Sequence, residues 1–312
     1  MVEGTKKRGK VFEYFSKEDQ FSPGLAWCPG CTLEILARYA PKVLGKDMVV
    51  FGCPCCSAPI LFGQNMGAWH KLASMGCLMT GVPSSATGVA RYYRKIGKEA
   101  TIVCWTGDGG AADVGFQPLS GAAERAENII YICYDNEGYM NTGVQRSSGT
   151  PKGAATTTTP VGKKWLGKPT HSKYMPLVML MHQPAYVATA TVSHLDDLVR
   201  KLEKAKEKKN EGFVYLHVYA PCPVGSRMES DSVIQVCRTA VNTNYFPLWE
   251  AENGKLRMTH EVAKPKPVGE LLKMAGKFSH MKEEAINDLQ QVVNERYSLI
   301  KYLSEKDQVK SK

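Results

Sequence analysis

Two short polar clusters carry residue types able to hold a charged ligand: Thr106-Gly107-Asp108-Gly109-Gly110 and Tyr134-Asp135-Asn136-Glu137-Gly138-Tyr139-Met140-Asn141. A carboxylate, an amide oxygen and a free main-chain carbonyl are hard oxygen ligands. They suit Mg²⁺, which takes one or two carboxylates and completes its shell from phosphates. Glycines at 107, 109 and 110 let backbone N–H groups approach a diphosphate closely. Alone, Gly-Asp-Gly reads as a tight turn with a solvated acid. Here the second cluster, with Asn136, lies 28 positions beyond Asp108, at the end of the next strand-like run.

The cysteines offer a second chemistry. Cys28-x-x-Cys31 alone fits a zinc half-site, a thioredoxin-like redox pair or two ligands of an iron–sulfur cluster. Cys53, Cys55 and Cys56 crowd the end of a strand-like run, and Cys222 sits between prolines after another. Four thiolates converging from separate strand ends are what a [4Fe–4S] cube requires. Cys77, Cys104, Cys133 and Cys237 lie in apolar or small-residue contexts and read as core fillers.

The elements that must position these groups follow from pattern. Thr101 to Trp105 and Ile129 to Cys133 are β-branched and aromatic runs, expected as buried parallel strands joined by a helix from about Gly115 to Ala126. Ligands of such sheets bind at the carboxyl ends of the strands. Thr32 is expected to cap a helix from Leu33 to about Val43, and Met48 to Phe51 is a short strand. Residues 63–81 read as irregular, followed by a helix from Ser84 to Lys95. The stretch 143–172 has no periodicity and, at that length, reads as a functional loop or subunit contact. Strands at 186–192 and 213–219, helices at 195–208 and 233–242, and a final helix at 283–303 complete the pattern. The expected class is α/β, a mostly parallel sheet flanked by helices. It divides into an extended arm at 1–22 that packs on a partner, a ligand-binding domain at 23–250 and a helical extension at 251–312.

Spacing and content together resemble the thiamine diphosphate motif. The run Asp135 to Gly143, then Gln145-Arg146-Ser147, Thr156 to Pro160 and Gly162-Lys163-Lys164, resembles the β subunit of the 2-oxoacid:ferredoxin oxidoreductases, with pyruvate and oxalate enzymes as the near relatives. The similarity runs from about Trp27 to Glu250. It implies a thiamine-diphosphate-binding fold in which Gly107, Asp108, Gly109, Asn136, Gly138, Asn141 and Thr142 hold the cofactor. Asp108, Asn136 and the Gly138 carbonyl would hold Mg²⁺. Asn141 lies by the cofactor, and Phe116 is a candidate for the substrate pocket or the core. It further implies that Cys28, Cys31, Cys56 and Cys222 bind one [4Fe–4S] cluster, with Cys53 or Cys55 as alternatives for the third ligand. Activity would be oxidative decarboxylation, with α and γ/δ-type subunits as partners, ferredoxin as electron acceptor and coenzyme A as acyl acceptor for a 2-oxoacid enzyme. Departures near the cysteines, Leu25-Ala26-Trp27, Thr32 and the Cys-Pro-Cys-Cys run, leave pyruvate and oxalate both open as substrate.

Composition narrows the field. The chain has 312 residues, 43% of them hydrophobic, a net charge of +10 and ten cysteines. No run of about 18 apolar residues indicates a membrane span, and no apolar stretch follows the basic residues 1–10, so a cytoplasmic protein is expected. The excess charge sits at the ends and in Lys201 to Lys209, read as a solvated helix face; no basic stripe with interleaved aromatics points to nucleic acid. Glu34, His70 and His171 are candidate proton carriers with structural roles favoured. Thr142, Gln145 and Arg146 are candidate contacts to cofactor or substrate. Two other classes remain: a zinc-stabilised scaffold subunit and a non-redox thiamine diphosphate decarboxylase.

Overall fold

The computed structural model describes residues 9–23, 26–62 and 70–309. In chain order the elements are α1 (Val11–Phe15), α2 (Thr32–Leu44), β1 (Met48–Gly52), α3 (Ala58–Phe62), β2 (Ala73–Gly76), α4 (Val82–Lys95) and β3 (Thr101–Gly107). A π-helical turn (Gly110–Val114) leads into α5 (Phe116–Glu124), β4 (Ile130–Asp135), α6 (Met175–Leu180), β5 (Tyr186–Thr191), α7 (Leu195–Lys208) and β6 (Val214–Tyr219). Then come α8 (Pro223–Ser226), α9 (Val233–Asn242), β7 (Leu248–Glu252), β8 (Lys255–His260), α10 (Gly269–Leu272), a 3₁₀ turn (Gly276–Phe278) and α11 (Glu283–Val309).

The strands form one sheet in the order β2-β1-β3-β4-β6-β5-β7-β8. All pairings from β2 to β5 are parallel; β7 and β8 add an antiparallel edge. Alternation along the strands divides the side chains between two cores. Val103, Trp105, Ile130, Ile132, Leu216 and Val218 face α2 and α7. Ile102, Cys104, Tyr131, Cys133 and Tyr215 face α4, α5 and α6. Both faces of the inner strands are therefore dry, as continuous apolar runs require of a parallel sheet. Cys104 and Cys133 fill one core and Cys237 the other, as expected of apolar thiols.

Register sets the relative heights of the strand ends. Gly52 pairs with Trp105, Gly107 with Tyr134 and Asp135 with Tyr219. The chain thus leaves β1, β3, β4 and β6, four adjacent strands, along one carboxyl edge. Cys53, Asp108, Asn136 and the Cys222 loop all emerge there.

Several expectations need correction. β2 lies in the stretch read as irregular; its small and exposed residues carry no strand pattern, and its pairing with β1 makes it a strand. Residues 63–69 of that stretch are outside the described residues. The 251–312 segment is not wholly helical: β8 pairs with β7, and α11 runs on to Val309. Thr32 does not cap α2; Cys31 holds the cap position, and the Thr32 hydroxyl is buried without a partner. Within the expected arm, Val11–Phe15 is helical and sits on this chain: Val11 N donates to Asp196 Oδ1 at 2.9 Å and Tyr14 OH to Glu203 Oε1 at 2.8 Å. Among the described residues no helix is long and apolar enough to cross a membrane.

Lys201 is the clearest departure from the solvated-face reading. It is 1% exposed and donates to Asp197 Oδ2 at 2.5 Å, to the Thr189 carbonyl at 2.7 Å and to Thr259 Oγ1 at 2.8 Å. Position 201 follows Leu198 on the inner stripe of α7, so the ammonium must find its partners inside. It links α7, β5 and β8. Lys201→Met would leave the Asp197 carboxylate, 7% exposed, with only the exposed Arg200 guanidinium at 3.8 Å in place of its buried ammonium. Urea unfolding is expected to show a loss of about 3–5 kcal/mol; a change within a few tenths would show that the contact is not stabilising.

Candidate active site

Asp108 follows β3 directly and begins the helical segment that passes through the π turn into α5. The N–H groups of the following glycines lie at this helix start, where anions are favoured. π turns inside helices recur at functional sites. The Asp108 carboxyl is 1% exposed. Its Oδ1 accepts from Asn136 N at 3.3 Å, and its Oδ2 accepts from the Ser147 hydroxyl. Burial, reinforced by the charge of Asp135, pushes its pKa well above the usual carboxylate range. A carboxylate in this position needs positive charge beside it.

The arrangement around it offers such a place. Asn136 Oδ1 lies 2.8 Å from the Gly138 carbonyl oxygen and 3.0 Å from Asp108 Oδ1. Three acceptors converge with no hydrogen between them. Two arrangements relieve the repulsion: a cation among the oxygens, or a turned amide whose NH₂ donates to both neighbours. The donor set of one carboxylate, one amide and one carbonyl fits Mg²⁺. Ser147, absent from the sequence-derived site, fixes the second carboxylate oxygen. Gly149 must stay small, since a Cβ there would lie 2.6 Å from Asp108 Oδ2.

A cavity opens beside these oxygens. Gly107, Gly109, Gly110, Asn136, Gly138, Asn141 and Thr142 line it, together with Met79, Tyr139 and Met140. Cys53, Pro54, Cys55 and Cys56 also line it. Every sequence-derived cofactor residue except Asp108 thus faces one space, and Asp108 lies beneath it. Thr142 and Gln145 bond each other, with Gln145 Nε2 donating to the Thr142 carbonyl at 2.8 Å, and so tie the loop that carries Asn141. Phe116 does not line this cavity; it starts α5 and packs on the core, 5.5 Å from Lys173 Nζ. Arg146 is exposed. Glu34 pairs with Arg38 at 3.0 Å, His70 Nδ1 accepts from Leu72 N at 3.3 Å and His171 lies 3.3 Å from Asp288 on α11. None of these three lines the cavity.

The loop between the two candidate ligands is held from behind. Glu137 has φ +67°, a left-handed conformation costly for a residue with a Cβ. Its N–H donates to Asp135 Oδ1 at 3.0 Å, and its carbonyl accepts from Thr150 Oγ1 at 2.7 Å. Its carboxylate, 4% exposed, receives the Tyr245 hydroxyl and the Lys277 ammonium, which is 2% exposed. Asp135 in turn meets His217 Nε2 at 3.0 Å, whose Nδ1 lies 2.8 Å from Tyr215 OH. The turn that aims Asn136 and Gly138 at one point is thus fastened by β6, α9's following loop and the C-terminal segment. Sequence alone gave no sign of this, because Tyr245 and Lys277 are more than a hundred residues away.

The four cysteines singled out for a cluster come together. Cys31 begins α2 and Cys222 begins α8, where Gly225 N donates to Cys222 Sγ at 3.2 Å. Burial raises the Cys31 thiol to about 12 and also raises Cys222. Burial raises Cys56 too, and the charges of Cys55, Cys222, Cys31 and Cys28 push it further, so these sulfurs share one field. Asn136 Nδ2 lies 3.9 Å from Cys56 Sγ, and Trp27 Nε1 donates to the Cys56 carbonyl at 2.6 Å. Gly30 seals the join: at φ +75° its Cβ would meet the Ser230 carbonyl at 2.2 Å, so the Cys28–Cys31 turn packs flush on the loop after Cys222. Cys55 points away, toward Tyr134 OH at 2.7 Å and Ser57 Oγ at 2.9 Å. Hydrogen bonds from Cys53, against the opposing effect of burial, and then from Ser57 and Tyr134 lower its pKa to about 6. Among the described residues, no three His, Cys, Asp or Glu side chains converge tightly enough for a single metal ion. Four thiols within one another's electrostatic reach match the number of ligands an iron–sulfur cube takes.

Comparison with known proteins bears on this arrangement. Residues 52–218 match the family model described as thiamine pyrophosphate enzyme, C-terminal TPP binding domain. Over 290 residues the chain is 42% identical to NADH-dependent phenylglyoxylate dehydrogenase subunit beta of Aromatoleum evansii, covering 92% of this chain and 65% of that one, so it spans just under two thirds of that relative. Ketoisovalerate oxidoreductase subunit VorB of Pyrococcus horikoshii is 40% identical, over 92% of this chain and 94% of that one. Pyruvate synthase subunit PorB of Methanocaldococcus jannaschii is 39% identical, over 92% and 98%. A structure of 2-oxoglutarate:ferredoxin oxidoreductase from Magnetococcus marinus, with 2-oxoglutarate, coenzyme A and succinyl-CoA bound, shares the fold at TM-score 0.53 and 19% identity, covering 86% of this chain and 93% of that one. The chain belongs to the β subunits of the 2-oxoacid:ferredoxin oxidoreductases.

The Glu137–Lys277 pair is open to a double-mutant cycle. Glu137→Gln and Lys277→Met should each cost about 3–5 kcal/mol, because each leaves one buried charge alone. The double variant should cost less than the sum. Strict additivity in guanidinium unfolding would show that the two groups do not interact.

Proposed function

We propose that this chain is the thiamine-diphosphate- and cluster-bearing subunit of a cytoplasmic 2-oxoacid:ferredoxin oxidoreductase. Asp108, Asn136 and the Gly138 carbonyl hold Mg²⁺. Backbone N–H groups around Gly107, Gly109 and Gly110 receive the diphosphate, with Asn141 and Thr142 at the cavity rim. Cys28, Cys31, Cys56 and Cys222 hold one [4Fe–4S] cluster. Thiamine diphosphate supplies the carbanion chemistry that decarboxylates a 2-oxoacid, and the cluster carries single electrons. This chain's own residues orient the diphosphate, keep the cavity wall dry with Met79, Met140 and Tyr139, and hold the thiols beside it. Ferredoxin is the external acceptor, coenzyme A takes the acyl group, and α and γ/δ-type subunits complete the substrate pocket.

The observation that carries this reading is the shared edge: the oxygen acceptors of Asp108, Asn136 and Gly138 and the thiols of Cys56 and Cys222 leave the ends of four adjacent strands, and Cys28 and Cys31, ahead of α2, join the thiols there. A scaffold stabilised by zinc would use the thiols but leave the oxygen acceptors beside them without a role. A decarboxylase without redox chemistry would have no use for the thiols. For substrate, 2-oxoacids are favoured over oxalate, since the relatives above are named for phenylglyoxylate, ketoisovalerate and pyruvate.

The test is the reconstituted complex, prepared without oxygen. Pyruvate, 2-ketoisovalerate, phenylglyoxylate and oxalate are assayed for ferredoxin reduction with and without coenzyme A. At least one 2-oxoacid should turn over. Asp108→Asn should lose Mg²⁺-dependent thiamine diphosphate binding by a factor of ten or more, about 1.4 kcal/mol or greater. Cys222→Ala should lose iron and ferredoxin reduction while still binding the cofactor. Wild-type protein that contains zinc and no iron would overturn the proposal, as would turnover of oxalate alone.

A further inference from the structure

Cys53 and Cys55 belong to the cavity wall and not to the four facing thiols. Their sulfurs are 3.4 Å apart. Cys53 is 1% exposed, while Cys55 is partly open to the cavity both residues line. Pro54 between them has a fixed φ, which limits how far the two side chains can part. Ser57 Oγ and Tyr134 OH grip Cys55 Sγ at 2.9 and 2.7 Å, holding it in position toward Cys53.

We propose that Cys53 and Cys55 form a reversible disulfide, with hydrogen peroxide as oxidant, on the wall of the cavity beside the Gly107–Gly110 turn. Cys55, the less buried residue of the two, attacks one peroxide oxygen. The O–O bond breaks, water leaves and Cys55 becomes a sulfenic acid. The Cys53 thiol then displaces the hydroxyl, which departs as a second water. Two thiols lose two electrons and two protons, and one peroxide becomes two waters. A bridge between residues two apart closes a small ring outside relaxed disulfide geometry, so a dithiol reopens it readily. Closure draws Cys55 off the Tyr134 and Ser57 hydroxyls and moves the wall beside Gly110, whose Cβ position is 3.9 Å from Cys53 Sγ. Weaker cofactor binding in the oxidised form is the functional consequence. That consequence rests on the proposed function; the pairing does not.

The experiment uses the assembled complex without oxygen, treated with equimolar hydrogen peroxide, alkylated with iodoacetamide and mapped by mass. The tryptic peptide 47–71 holds Cys53, Cys55 and Cys56. After peroxide it should escape alkylation at Cys53 and Cys55, weigh two hydrogens less and keep Cys56 alkylated; dithiothreitol should reverse this. Cys53→Ala should abolish the bridge, and Cys55→Ser should keep the iron and its visible absorbance. Alkylation of both thiols after peroxide, a bridge to Cys56, or loss of iron in Cys55→Ser would overturn the pairing. Thiamine diphosphate should bind several-fold more weakly after peroxide in wild type and unchanged in Cys53→Ala. Equal affinity with the bridge mapped would overturn the switch, whereas no cofactor binding before peroxide would instead sink the proposed function.

Discussion

A carboxylate shut away from water beside two more acceptor oxygens is an unstable arrangement unless a cation joins it or the neighbouring amide turns its NH₂ inward. Asp108, Asn136 and Gly138 are arranged that way. Much of the surrounding structure can be understood as what keeps them there. The parallel register brings β3 and β4 to the same edge. Ser147 and Gly149 close over the second carboxylate oxygen. The left-handed Glu137 turns the chain sharply enough for its two neighbours to face one point. The strain at Glu137 is offset by a set of buried bonds reaching to Tyr245 and Lys277. A ligand loop built this way gives up local stability, and distant segments supply it.

The thiol site follows a different logic. Cys28 is exposed and Cys31, Cys56 and Cys222 are half-buried, and among the described residues no buried ion pair holds them in place. Cys31 and Cys222 occupy the first positions of helices, where backbone N–H groups point at sulfur. Protonated, the thiols repel little. Ionised together they would repel strongly unless positive charge, such as the iron of the proposed cluster, stood between them. The two sites share a wall, since Asn136 approaches Cys56 from the oxygen side.

Much of this was legible in the sequence. The apolar runs at 101–105 and 129–133 announced buried strands, and residues at and just after their ends line one cavity. Fold class and family were readable for that reason. What escaped was what depends on distant partners. β2 has a pattern no different from a loop and becomes a strand only by pairing with β1. Lys201 looks like any other lysine in its run, and only the tilt of α7 decides that it faces inward. Ser147 and Glu137 stood inside a recognised run, but their roles depend on which way each side chain turns. Phe116 illustrates the converse: proximity in sequence to Asp108 did not bring it to the cavity.

The edge formed by β1, β3, β4 and β6 also acts as a ruler. Neighbouring strands in a sheet lie about 4.8 Å apart, so three gaps span roughly 14 Å. Whatever sits at the ends of these strands is kept within that lateral reach by main-chain pairing alone, without a dedicated spacer. Tunnelling between two redox groups falls off steeply with separation. The pitch of the sheet sets the lateral spacing of groups carried at these four strand ends, a measure that Cys28 and Cys31, ahead of α2, stand outside.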